Sequence, residues 1–205
     1  YESVNIAFGS TDPRKSLTLL VNEKEMSIST KSKIAKLDLS FINRTKIQSL
    51  LSLDVLHRDI LLQMIETQTF SPDSHEWKIQ FKYSWDEENL DILIQQDIAE
   101  FHYGFEFLGC HQRIVISTKT IPIFLSLSNA LYMKYGGSCF GPYGSGKTET
   151  IKELSRAFAV YCINFNCSET ISVRQLSAML RGIVQSGTWI IFSDFWRVQP
   201  EVLSV

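Results

Sequence analysis

The chain has almost no net charge: 20 Lys and Arg against 22 Asp and Glu leave −2 over 205 residues. This removes the electrostatic case for nucleic acid or an anionic membrane as a main partner, since both are held first by clustered positive charge. No apolar run approaches the ~20 residues of a membrane span. The opening Tyr1-Glu-Ser-Val4 carries no signal peptide or lipidation motif. It also lacks an initiator Met, so a piece of a longer chain is the expectation. Cys110, Cys139, Cys162 and Cys167 form no C-x-x-C pair. His57, His75, His102 and His111 do not stand at metal-ligand spacing with them. Reduced thiols in a cytosolic protein are expected. Internal repeats and low-complexity segments are absent as well.

What the chain does have is an apolar content of 44%, enough for a core in one large domain or two small ones. To about Thr69 the pattern is helical, with Leu17, Leu19, Leu20 and Val21, then Ile47 through Ile65, spaced around charged residues. Loops are expected at Gly9 to Pro13 and Ser71 to Ser74. From Trp77 to Trp85 apolar and polar residues alternate, which predicts a half-buried strand. A second strand is expected at Leu90 to Ile94, after the turn-prone Asp86 to Asn89. Phe101, Tyr103, Phe105 and Phe107 alternate again. Without a basic groove beside them, core packing is a better reading than base stacking.

Farther along, Arg113 to Ser117 reads as a short apolar strand, and Ile121 to Tyr132 as a helix with Pro122 in its first turn. Ser138 to Phe140 is a short strand-like lead-in and Glu149 to Val160 a helix. Val160 to Phe165 is a strand, Ser172 to Gln185 a helix capped by Ser172, and Trp189 to Phe192 a strand. Strand, loop, helix, strand, helix, strand predicts an α/β fold with a parallel sheet whose ligand lies at the strand carboxyl ends.

Chemistry concentrates in Gly141, Pro142, Tyr143, Gly144, Ser145, Gly146, Lys147 and Thr148, which fit the phosphate-loop pattern G-x-x-x-x-G-K-S/T. Glycines let backbone N–H groups turn toward a polyphosphate, Lys147 supplies a point charge, and Thr148 offers a hydroxyl to Mg²⁺. The following helix, from Glu149, adds its positive N-terminal end. A phosphate-loop NTPase then needs an apolar strand ending in an acidic residue that supports the metal, commonly beside a second that polarises the attacking water. Here the strand ends in Ser193-Asp194, one carboxylate where two are wanted. Asp194 is the candidate for either role. If it supports the metal, no neighbouring base remains. If it activates the water, Ser193 must support the metal, with a hydroxyl that is a weaker, neutral partner.

These motifs together resemble dynein heavy chains at the junction of the linker and the first AAA+ module. Gly141 to Thr150, GPYGSGKTET, is similar to that family's GPAGTGKTET, and Phe165 to Ser168 resembles part of VFNCSD. Gly182 to Trp189 resembles GLAQSGAW, and Glu201 to Val205 matches EVLSV. Tyr103 to Gly109 resembles YGYEYLG, Arg113 to Thr120 RLVITPLT, and Asp54 to Asp59 DVHARD. The resemblance covers about residues 40 to 205 and weakens toward the N-terminus.

It implies a P-loop NTPase (AAA+) parallel sheet flanked by helices over 101–205, preceded by a mainly helical linker segment over 1–100. It implies ATP and Mg²⁺ as cofactors. The adenine would lie near Ile114, Val115 and Ile116, the phosphates on Gly144 to Thr148, and Asn166 toward the γ-phosphate. Glu149, next to the loop, is included among the candidate nucleotide contacts. The metal would be held by Thr148 and Asp194. The implied partners are ATP or ADP, the other AAA+ modules, microtubules, and dynein intermediate and light chains, with neither nucleic acid nor membrane. The implied setting is cytoplasm and cytoskeleton, in a ciliary axoneme. The sequence departs from the family's DEFNR as Ser193-Asp194-Phe195-Trp196-Arg197, places Tyr143 where the loop has Ala, and carries Thr118 where a Pro is usual. The expectation is a divergent, axonemal-like motor ATPase portion. The alternative is a module in which ATP binds structurally and hydrolysis is lost.

Overall fold

A computed structural model describes residues 2–109, 113–117 and 119–204. It divides into two compact units. The first comprises Tyr1–His102 with Gly109–Gly137, the second Tyr103–Leu108 with Ser138–Val205.

The first unit begins with α1 (Glu2–Phe8), α2 (Pro13–Ala35) and α3 (Phe41–Glu66). Asp12 starts α2 by accepting from Lys15 N at 3.2 Å, with Pro13 at the first helical position. Ser40 starts α3. The largely polar residues from Ser27 to Lys33 continue α2. α2 and α3 pack as a hairpin whose core holds Leu17, Val21, Leu61 and Met64 with Val4 and Ala7 of α1. Trp77 closes this core, with Phe8 edge-on at 5.6 Å. It sits on a single helical turn, α4 (His75–Lys78), so the expected strand from Trp77 to Trp85 is only half correct. Burying the indole against Phe8 overrides the alternating pattern. Asp54 is buried between the helices and accepts from Lys24 Nζ at 3.2 Å, Ser27 Oγ at 2.8 Å and Lys31 Nζ.

An antiparallel meander follows: β1 (Lys82–Asp86), β2 (Asp91–Gln96) and β3 (Ala99–His102). Tyr83 stands opposite Ile94, and Ile94 opposite Phe101. The helix α5 (Thr120–Tyr132) packs on β3. Phe124 meets Phe81 at 5.9 Å, Tyr132 meets Phe101 at 6.2 Å, and the buried Ser128 hydroxyl bonds Gln96. Core packing therefore holds for Phe101, but Phe105 and Phe107 are exposed.

The second unit contains α6 (Lys147–Ala157), β4 (Cys162–Asn166), α7 (Val173–Ser186), β5 (Trp189–Ser193), a 3-10 turn (Phe195–Arg197) and α8 (Pro200–Leu203). β4 and β5 run parallel, from Cys162 opposite Trp189 to Asn166 opposite Ser193, with α7 as the crossover. Ser172 caps α7 through a reciprocal capping box with Gln175. One sheet face carries Phe165 and Phe192 into a cluster with Cys167, Ile171, Val198 and Val202. The other carries Trp189, 5.4 Å from Phe158 at the end of α6. Gly104, from the earlier segment Tyr103–Leu108, lies against that end, its N–H bonded to Phe158 O at 2.9 Å. A Cβ there would fall 2.5 Å from Ala159 O, so no larger residue fits without movement.

The α/β class is correct, but the parallel sheet has two strands among the described residues. Ser138 to Phe140 and Arg113 to Ser117 form no ladder. A strand needs a neighbour's backbone groups. Phe140 is 93% exposed, so no packed layer holds that segment either.

Candidate functional site

The loop from Gly141 to Gly146 leads directly into α6. Gly144 and Gly146 take φ values of +74° and +80°, a left-handed backbone that strains any residue with a Cβ. Gly146 is the N-cap of α6, and no side chain caps that end. The helix's first intrahelical bond is Thr150 N to Gly146 O at 2.9 Å, reinforced by Thr150 Oγ1 on the same carbonyl at 3.0 Å. The N–H groups ahead of Thr150 therefore have no acceptor within the helix and carry its positive pole.

Lys147 opens α6 and folds its ammonium back over the loop. Nζ donates to Gly141 O at 2.9 Å, Pro142 O at 2.8 Å and Ser145 Oγ at 3.4 Å. Thr148 beside it is half-buried. Tyr143 projects fully into solvent. Glu149 faces along the helix instead, its carboxylate accepting from Lys152 Nζ at 2.8 Å. That hydrogen bond holds its pKa below the ordinary glutamate value. Burial pushes the Cys139 thiol up, against the opposing Lys147 charge.

α6 packs on both β4 and β5. Their carboxyl ends carry Asn166, opposite Ser193, and then Asp194. Ser193 O accepts from Cys167 N at 2.9 Å, and Ser193 Oγ donates to Asn164 Oδ1 at 2.7 Å. Asp194 sits at φ +54° with an exposed carboxylate, 3.8 Å from Arg197 Nε. The Arg197 guanidinium lies over the Trp196 ring, 5.0 Å from its centroid.

Loop, Thr148, Asn166, Ser193 and Asp194 thus belong to one unit. Ile114, Val115 and Ile116 belong to the other, outside any helix or strand, with Val115 exposed. Thr118, Cys110 and His111 lie outside the described residues. The sequence reading missed Asn164. Its signal was a pair of asparagines at alternate positions of an otherwise apolar strand, which puts both on one face.

The residues present fit a polyphosphate. An uncapped helix start, glycines in left-handed geometry and one ammonium converge on the same short loop. Among the described residues no three His, Cys, Asp or Glu side chains cluster as a metal site. A divalent ion here would take most of its ligands from phosphate and water.

Comparison with known proteins agrees with this chemistry. A family model described as the hydrolytic ATP binding site of dynein motor region matches residues 103–205. A dynein-1-beta heavy chain of the flagellar inner arm I1 complex from Chlamydomonas reinhardtii is 33% identical over 192 residues, 94% of this chain. The dynein axonemal heavy chain 2 of Mus musculus is 38% identical over 168 residues, 82% of this chain. The dynein axonemal heavy chain 6 of Homo sapiens is 35% identical over 164 residues, 80% of this chain. In each case the chain spans about 4% of the relative's length.

Proposed function

The chain belongs to the dynein heavy chain family, and from that premise we propose that it is the ATP-binding portion of a microtubule motor. It couples ATP binding and hydrolysis to movement of the helical segment, for minus-end-directed motility. The observation that carries this reading is the Lys147 ammonium poised over a glycine loop at an uncapped helix start.

In this reading residues 1–100 are the end of the linker and 101–205 part of the first AAA+ module. Gly141 to Glu149 surround the phosphates, Ile114 to Ile116 line the adenine, and Asn166 faces the γ-phosphate. Thr148 and Asp194 would hold Mg²⁺, and Asp194 would also orient the attacking water. Mg²⁺ supplies neutralisation of the charge that develops on the transferred phosphoryl group. The protein's own work is positioning: loop N–H groups fix the phosphates and Lys147 adds a charge-assisted bond. The complete chain acts with further AAA+ modules, microtubules, and intermediate and light chains, in the cytoskeleton of a ciliary axoneme. The flagellar and axonemal names of its relatives support that setting.

Calorimetry of ATP and ADP, with and without Mg²⁺, tests the site. Binding that strengthens with Mg²⁺ is expected, and no binding in either condition would refute it. Ser193 favours a second reading, in which ATP stabilises the fold without turnover, because a hydroxyl stands where a carboxylate is wanted. Ser193→Asp with Asp194→Glu separates the two. Turnover that rises in the complete heavy chain supports a motor weakened at this step. Unchanged turnover supports the structural role.

A further inference from the structure

We propose that Asn164 is a positioning residue for Ser193, holding its hydroxyl as an acceptor directed at the metal side of the nucleotide; the inference rests on the nucleotide-site reading above. A serine hydroxyl has one proton and two lone pairs, and it rotates. Here the proton is committed: Ser193 Oγ donates to Asn164 Oδ1 at 2.7 Å. The register fixes the direction of that bond. Asn166 stands opposite Ser193, and Asn164 stands opposite Ile191, two residues farther back in the parallel ladder. The proton therefore points back along the sheet, and the lone pairs remain for the strand's carboxyl end, where ligands of such sheets bind.

Asn164, Asn166 and Ser193 share the sheet face that carries Trp189 against the end of α6, opposite the face of Phe165 and Phe192. This is the face of the helix that starts with Lys147 and Thr148. Waters on a divalent cation present protons outward. A hydroxyl free to rotate can meet them with its own proton, donor against donor. Held by Asn164, Ser193 meets them only as an acceptor, the neutral counterpart of what a carboxylate does at this position.

The test is ATP affinity by calorimetry in excess Mg²⁺ and in EDTA, using the chain itself; the ratio of the two reads the metal's contribution. Asn164→Leu keeps much of the volume and removes the acceptor. Its ratio is expected to fall about fivefold, the worth of one hydrogen bond, with the EDTA affinity unchanged. Ser193→Ala should lose the same factor, and the double variant no more. In a Ser193→Asp background, Asn164→Leu should cost nothing, because a carboxylate has no proton to place. An unchanged ratio in Asn164→Leu, or an equal loss in the Ser193→Asp background, overturns the inference. Should Asn164→Leu fail to fold by its melting curve, Asn164→Asp decides: it keeps the acceptor and adds a charge that favours a cation, so a ratio at or above that of wild type is expected and a fall overturns the inference. A wild-type chain that binds ATP indifferently to Mg²⁺ overturns the inference and leaves the nucleotide reading standing. One that binds no ATP at all refutes both.

Discussion

Acid should loosen the α2–α3 hairpin through one side chain. Asp54 is 6% exposed. Burial alone would raise its pKa, but bonds from Lys31, Ser27 and Lys24 more than reverse that and lower it from 3.8 to about 2. A carboxylate held below its ordinary value contributes stability that is fully present above the unfolded pKa and is lost as pH falls through the folded one. At about 1.4 kcal/mol per tenfold change in acidity, the contribution is ~2 kcal/mol, disappearing between about pH 5 and pH 1. Thermal melts of wild type and Asp54→Asn across that range read it directly. At neutral pH the variant should be less stable by ~2 kcal/mol or somewhat more, since two ammonium groups lose their partner. Lys24 and Lys31 are 37% and 28% exposed and can turn to water, which limits the further loss. The gap between the two proteins should close as pH falls. Parallel curves, with the gap constant to low pH, would refute the argument.

Other outcomes follow from the second unit. Lys147→Ala should weaken ATP binding by about tenfold to a hundredfold, the range for a charge-assisted bond, measured by calorimetry. Trp189→Ala should cost about 2 kcal/mol in a denaturant titration. That is below the ~3–5 kcal/mol of a fully buried aromatic, because Trp189 is only half-buried against Phe158. Ser172→Ala breaks both halves of the capping box and should lower stability by about 1 kcal/mol in the same titration. Gly146→Ala has open space around its Cβ yet sits at φ +80°, so a loss of about 1–2 kcal/mol is expected from backbone strain alone.

The parts legible in sequence were those whose causes are local. The long helices follow from apolar spacing, and the α7 start from Ser172 with Gln175. The phosphate loop is contiguous, so its glycines and Lys147 could be read in order. What escaped depends on residues far apart in the chain. Ser193 and Asn164 are 29 positions apart, and only the parallel register brings them together. Trp77 looked like the first residue of a strand because its neighbours alternate, but the burial that decides its place comes from α1 and the hairpin. Ser138 to Phe140 has strand-like residues, but ladder partners are supplied by other segments, which its own sequence does not encode.

The Lys147 ammonium already has oxygen partners, the carbonyls of Gly141 and Pro142. Nucleotide capture at this loop is therefore an exchange of ligands around a cation, not the filling of an unmet charge. The heat of binding will be the difference between two sets of bonds, smaller than the phosphate contacts alone suggest. Release is eased by the same arrangement, because the departing phosphate leaves the lysine with somewhere to return.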